Sequence, residues 1–384
     1  MQKDIIRSGK KVLIVSDSWK SLMDFRGKLI EELAKKHEVY VFTPKILQHS
    51  FRERLHSLNV QIFENNLNGS SVSVISDIHY IIQLYRLIKR IKPLIFFPYT
   101  FKPVIYGTIL AKICRVKVVV PMLTGLGYNF APGKSKNWIK TITQVLLKAS
   151  LYNSKRQRII FQNKDDHQTL IDHKIISPKH KSYIVNGSGV DLKHYSYTPP
   201  NTNSVSFLMI ARLINAKGIY EYYEAARIIH FLYPNIQFKL IGALDNNIDA
   251  ISSNLFNQIK SGKTIQYLGE VDDVRPYIND ASVVVLPSYY GEGVPRCLLE
   301  AMAMGRAIIT CDSVGCKETV NFLTEINGFL VPVKNVAALV DAIEYYLLHP
   351  DVIVSHGLNG LLMAKKKFDV NLVNNEIIKI MQLN

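Results

Sequence analysis

The chain has 384 residues, 48% of them hydrophobic and 20% charged, with a formal net charge of +16. That is enough apolar chain for two domains with separate cores, and it excludes disorder as the dominant state. No apolar run reaches the roughly 18 residues of a membrane span, and the four cysteines, without CxxC spacing, make neither a disulfide framework nor a structural zinc site.

In the first half, residues 11–16, 38–42, 94–97, 117–122 and 158–161 are short runs rich in Val, Ile and Phe. Near-continuous apolar runs of this length are expected of parallel strands buried on both faces. Between them Phe25, Leu29 and Leu33, then Ile81, Leu84, Tyr85 and Ile88, recur at helical spacing. The run 12–15 is too short for a signal-peptide core, so the chain is expected on the cytoplasmic side. Lys134, Lys136, Trp138 and Lys140 open a helix through Val145 to Lys148, with Lys155, Arg156 and Arg158 after it. Two readings fit that helix: an apolar side packed on the sheet, or a contact with an anionic membrane surface.

Residues 197–203, Tyr-Thr-Pro-Pro-Asn-Thr-Asn, read as a linker. Beyond it, strands are predicted at 205–210, 237–241, 282–286, 307–310 and 328–331, again with helices between. Alternating β and α predicts an α/β chain of two doubly wound domains facing a central cleft. Their expected bounds are 1–196 and 197–367, with a terminal helix at about 368–384 packing back on the first.

The charge is uneven. Residues 1–200 hold 32 Lys and Arg against 13 Asp and Glu, whereas 201–384 hold 15 against 18. The basic half is expected to face nucleic acid, a phospholipid surface or a phosphorylated substrate, or else to be a solvated face. Residues 101–160 contain no RNP, helix-turn-helix or zinc-finger pattern, which argues against nucleic acid.

In open α/β sheets the ligand sits at the carboxyl ends of the strands. Arg212, Lys217 and Gly218 follow one strand end. A guanidinium fork with a compact ammonium suits a diphosphate, the alternative being two solvated surface charges. Gly242 follows the next strand. After 282–286 comes Gly291-Glu292-Gly293-Val294-Pro295, opening a helix that carries Glu300. A carboxylate near the core edge needs partners, and ribose hydroxyls are suitable donors to it. Backbone N–H groups of Gly293 and Val294 at a helix start suit sugar or phosphate oxygens. Thr124 and Gly125 follow a strand of the first half, as do Asp17 and Ser18.

These residues resemble the retaining glycosyltransferases of family 4, which have the GT-B fold of two Rossmann-like domains, and above all the bacterial capsular and O-antigen polysaccharide subgroup that includes lipid-linked-oligosaccharide GalNAc transferases. The resemblance rests on Asp24-Phe-Arg26, Thr124-Gly-Leu-Gly-Tyr128, 161–166 (Phe-Gln-Asn-Lys-Asp-Asp), Gly187-Ser-Gly-Val-Asp191, Lys217-Gly218, 291–305 and 312–318. It implies transfer of a hexose or N-acetylhexosamine from a nucleotide sugar, UDP-linked, to a polyprenyl-diphosphate-linked saccharide at the inner-membrane surface. It also implies that Arg212 and Lys217 neutralise the leaving diphosphate, that Glu292 contacts the donor sugar and that Glu300 holds the ribose. The family retains the anomeric configuration through front-face attack, without a dedicated nucleophile. No Asp-x-Asp occurs, in keeping with departure of the diphosphate without a metal. On the acceptor side the resemblance points to Asp17, Ser18, Arg26, Thr124 and Gly125.

Two departures stand out. Relatives carry Gly-Gly after the first strand, where this chain has Ser16-Asp17-Ser18-Trp19-Lys20, and His or Glu where it has Thr124. Asp17 is the nearest carboxylate for the acceptor hydroxyl, unless it caps the helix. A nucleotide-sugar 2-epimerase of the same fold is the alternative enzyme.

Overall fold

The computed structural model describes residues 9–67, 74–127, 130, 138–152, 154–245 and 249–383. Two compact units result: residues 1–188 with 373–384, and residues 189–372.

The first unit is built on strands β1 (Lys11–Val15), β2 (Glu38–Pro44), β3 (Gln61–Asn65), β4 (Ile95–Pro98) and β5 (Val118–Val119). Their order, β3-β2-β1-β4-β5, is wholly parallel, with β1 between β2 and β4. Val12 to Val15 are completely buried because the sheet is covered on both faces. Helices α1 (Trp19–Ala34) and α2 (His49–Ser57) pack with Val12 and Ile14; α3 (Val74–Ile91) and α4 (Thr108–Ile113) pack with Leu13 and Val15. Alternation along β1 thus sends neighbouring side chains into different cores.

Two corrections to the sequence reading fall in this unit. Residues 61–65 form a strand that the sequence reading missed, because an edge strand beside a polar turn lacks a continuous apolar run. The single strand expected at 117–122 is two: β5, and β6 (Met122–Leu123), which pairs with β7 (Ile159–Phe161) and through it β8 (Ser182–Ile184). Val120 still donates to Phe96, but Pro121 has no N–H, so the ladder passes to a second sheet there. A third core gathers beneath that sheet around Leu123, Phe161, α5 (Trp138–Ser150) and α6 (Lys164–Asp172).

In the second unit, β9 (Ser206–Ile210), β10 (Gln237–Ile241), β11 (Gln266–Tyr267), β12 (Val283–Leu286), β13 (Ala307–Cys311) and β14 (Gly328–Val331) make one parallel sheet, ordered β11-β10-β9-β12-β13-β14. Helices α7 (Ile219–Leu232), α8 (Ser253–Lys260), α9 (Arg275–Asp280), α10 (Arg296–Ala303), α11 (Val336–Leu348) and α12 (Pro350–Met363) connect and cover it. The strand order reverses between β9 and β12, and ligands bind at such a switch point.

The boundary falls at 188/189, not 196/197. Val190 already bonds with Phe368 and Val370, and the expected linker is pinned to the second unit. Buried Arg306 donates to the Thr198, Ile278 and Met304 carbonyls, which closes the chain onto α9 and α10. The last helix, α13 (Val370–Ile380), puts Val373, Ile377 and Ile380 among the side chains of α1 and β1.

Candidate functional site

The chain after β9 forms a 3-10 turn, Asn215–Lys217, that ends on Gly218. Asp249 accepts from the Ala216 N–H at 2.9 Å, and Tyr289 and Tyr290, beyond β12, donate their N–H groups to the Ala216 carbonyl. The turn is thereby fixed to the loop after β12, and Lys217 meets Glu292. Nζ bonds to Oε1, both side chains being 13–14% exposed. Ser288 donates its hydroxyl to the same oxygen at 3.2 Å, and the ammonium lies 5.3 Å from the Tyr290 ring centre. Burial works against the charge on Lys217, but the Glu292 carboxylate outweighs it and raises the pKa above its ordinary value.

The Gly291-Glu292-Gly293 loop is held from below. Gly315 has φ +79°, and a Cβ there would lie 2.4 Å from the Gly293 carbonyl oxygen. Ser313 and Cys316 point to the Ser288 carbonyl at 2.6 and 3.8 Å. Burial pushes the Cys316 thiol up to about 11 and the Cys311 thiol to about 12, so neither is a thiolate at neutral pH.

Pro295 is the N-cap of α10. Four residues into the helix, Glu300 is 7% exposed and pairs with Arg296 at 3.0 Å. Gly242 follows β10 with φ +156°, and a Cβ there would fall 1.7 Å from the Ala211 carbonyl oxygen, so only glycine fits. Gly293 lies between Glu292 and buried Val294. Arg212 has the solvated surroundings that the sequence reading left open beside a diphosphate clamp. Its side chain is 52% exposed and donates to Asp245 at 2.7 Å.

In the first unit, Ser18 rather than Asp17 caps α1, accepting from the Ser21 N–H at 3.2 Å. Asp17 is left half-buried at the end of β1; desolvation raises its pKa against the opposing Thr100 hydroxyl and Lys102 charge. Thr100, just past β4, has φ +69°, a strained conformation for a β-branched residue. Arg26 is wholly buried, with its guanidinium 5.4 Å from the Tyr99 ring centre and 3.1 Å from the Met122 sulfur. It therefore braces β4 against β6 instead of reaching an acceptor, because the inward face of α1 places it under the strand ends. Thr124 and Gly125 form the turn after β6, with Gly125 at φ +119°. Tyr128, Lys134 and Lys136 lie outside the described residues.

Comparison with known proteins settles what kind of chain carries this site. The model described as group 1 glycosyl transferases matches residues 204–349, and the one described as glycosyl transferase 4-like matches 11–163. The chain belongs to the family 4 glycosyltransferases. A Campylobacter jejuni N,N'-diacetylbacillosaminyl-diphospho-undecaprenol alpha-1,3-N-acetylgalactosaminyltransferase is 24% identical over 96% of this chain and 98% of its own length. An Escherichia coli UDP-Gal:alpha-D-GlcNAc-diphosphoundecaprenol alpha-1,3-galactosyltransferase is 27% identical over 71% of each. Among solved structures, Anabaena HepE in complex with UDP and glucose superposes with a TM-score of 0.75 at 17% identity, covering 97% of this chain and 99% of its own. A sucrose-phosphate synthase from Thermosynechococcus elongatus gives 0.78 at 18%, over 97% and 98%. These likenesses show the GT-B fold.

In this glycosyltransferase the structure brings Lys217, Glu292 and the start of α10 together at the ends of β9 and β12. Several residues beside them were missed by sequence reasoning. Ser288, Tyr290, Arg296 and Asp245 each touch a predicted site residue. None stands in a spacing that marks it, because contact between the two loops is set by the sheet. Asp166 was noted only within a supporting motif. It lies 3% exposed at the head of α6 in a reciprocal pair with Asn163, the pattern of an N-cap and its third residue. Burial raises its pKa to about 7, although the Leu126 N–H in the Thr124 turn stabilises the charged form.

Proposed function

We propose that this glycosyltransferase moves a hexose or N-acetylhexosamine, with retention, from a UDP-sugar to a polyprenyl-diphosphate-linked saccharide. The buried pairing of Lys217 with Glu292 at the switch point carries this reading. Lys217 and Arg212 bind the diphosphate, and their charge takes the place of a metal ion as negative charge grows on the leaving group. Glu292, released from Lys217, accepts hydrogen bonds from the donor sugar. Glu300 accepts from the ribose hydroxyls, with Gly242, Gly293 and Val294 lining the nucleotide and sugar path. Asp17, Ser18, Thr124 and Gly125 face the acceptor. Two of the relatives are named for undecaprenyl-diphosphate-linked acceptors, and the E. coli one for a UDP-sugar, which supports both choices.

The acceptor's lipid requires a membrane surface, and we place the protein peripherally on the anionic cytoplasmic face. None of the described helices is long and apolar enough to cross a membrane. Helix α5 packs Leu147 inward, while Trp138 and Val145 are 69% and 61% exposed, which supports a membrane contact on its outer side.

The test is a panel of UDP-sugars with a polyprenyl-diphosphate-linked acceptor, with and without EDTA. A new glycolipid of retained configuration, formed equally well with EDTA, is expected. An epimerised sugar, or UDP release without glycolipid, would overturn the transferase assignment to this acceptor; loss with EDTA would overturn metal independence.

A further inference from the structure

Helix α3 buries Tyr80, Leu84, Ile88 and Ile91 against the sheet. Its opposite face should be polar for a helix that ends in solvent. Instead Ile75, Ile78, Ile82 and Tyr85 are 83%, 52%, 44% and 38% exposed. Their spacing of three, four and three residues makes one stripe along the helix. Helix α5 does the same: Trp138, Ile142 and Val145, spaced by four and three, are exposed on the side away from its packed leucines. Helix α4 packs against both, and its last residue, Ile113, is 61% exposed. Three neighbouring helices of one unit thus present apolar side chains outward.

The charge around these stripes identifies what covers them. Residues 74–164 hold sixteen Lys or Arg and a single acid, Asp77. Asp77 is engaged by Lys102 and by the Tyr106 hydroxyl, each at 2.8 Å. The stripe of α3 runs into Arg86, Lys89 and Arg90, and α5 is followed by Lys155 and Arg156. A second copy of so basic a surface would be repelled. An anionic bilayer satisfies both features, apolar side chains entering the headgroup boundary and cations lying over the lipid charge.

We propose that α3 and α5 together form a two-helix platform on anionic phospholipid, with Ile75, Ile78 and Ile82 of α3 entering the interface. This rests on the membrane reading above and adds α3 to it as a second contact. The platform explains an otherwise costly set of exposed isoleucines in the acceptor-binding unit.

Full-length protein is sedimented with vesicles of equal parts phosphatidylglycerol and phosphatidylcholine, and with pure phosphatidylcholine. Three proteins are compared: wild type, Ile75→Ser/Ile78→Ser/Ile82→Ser, and Trp138→Ser/Ile142→Ser/Val145→Ser. Both variants should keep the wild-type circular dichroism and lose about tenfold or more in binding to the anionic vesicles. As a positional readout, Ile78→Trp in a Trp19→Phe/Trp138→Phe background should shift its emission to the blue on adding those vesicles. If the α3 variant binds as wild type, or the Trp reporter does not shift, α3 is not a contact, and binding that still depends on α5 leaves the membrane reading standing. If wild type ignores anionic vesicles, that reading and this one both fail. A wild-type dimer in analytical ultracentrifugation that the α3 variant dissociates would assign the stripe to self-association and overturn the proposal.

Discussion

The Lys217 ammonium and the Glu292 carboxylate are 75 residues apart in sequence and bonded to each other at the ends of the adjacent strands β9 and β12. In the proposed reaction a diphosphate would compete for Lys217 and a sugar hydroxyl for Glu292, so that donor binding would exchange the partners of two side chains that are 14% and 13% exposed. Removing one member of a buried pair costs far more than the pair contributes, because a charge is left without compensation.

Glu292→Ala should therefore lower Tm, and UDP should restore more of it than UDP adds to wild type, while turnover falls roughly 10²- to 10³-fold. Thermal unfolding with and without UDP, beside steady-state rates, checks this. Equal UDP-induced shifts in the two proteins would show that the pair does not compete with the diphosphate.

Arg212 and Glu300 should separate kinetically. The exposed Arg212–Asp245 pair contributes roughly 0–1 kcal/mol to stability, so Arg212→Ala should fold as wild type yet lose on the order of 10² in turnover. Glu300→Ala removes a contact that is similar in ground and transition states, and should raise KM for the donor more than it lowers kcat. Wild-type rates for folded Arg212→Ala would remove Arg212 from the diphosphate site.

Gly315→Ala tests whether the loop carrying Glu292 is supported from below. The added Cβ would meet the Gly293 and Glu292 carbonyl oxygens at 2.4 and 2.6 Å and must push that loop outward. Turnover should drop at least tenfold, while urea unfolding changes far less. Unchanged turnover would show that the loop position does not matter to the reaction.

Asp166 predicts a pH dependence of stability. Burial raises its pKa from 3.8 to about 7, so the folded state holds the proton more tightly than the unfolded one. Its contribution is complete below pH 3.8 and is lost as pH rises through about 7. Asp166→Asn, which keeps a neutral group on Asn163, should be more stable than wild type at pH 8 by on the order of 2–4 kcal/mol and by clearly less at pH 5, where only part of the contribution has been lost. Urea denaturation at the two pH values measures this, and an equal difference at both would place the effect elsewhere than in this proton.

The sequence by itself determined the class of fold and most of the strands. A strand buried on both faces is apolar along nearly its whole length, so β1, β9, β12 and β13 announce themselves in any reading. It also marked Lys217, Glu292 and Glu300 as residues that follow strand ends, because glycines and charges crowd there. What it did not carry was any interaction across elements. The Lys217–Glu292 bond exists only once β9 and β12 are neighbours, and the exposure of Arg212 only once Asp245 is beside it. Burial of Arg26 was decided by the inward face of α1, and the split of 117–122 by a single missing N–H at Pro121. The outward stripe of α3 is the clearest case. Its isoleucines look like core in sequence, since periodicity marks a helix with apolar residues on several sides. Only packing decides which side finds a partner and which remains for something outside the chain.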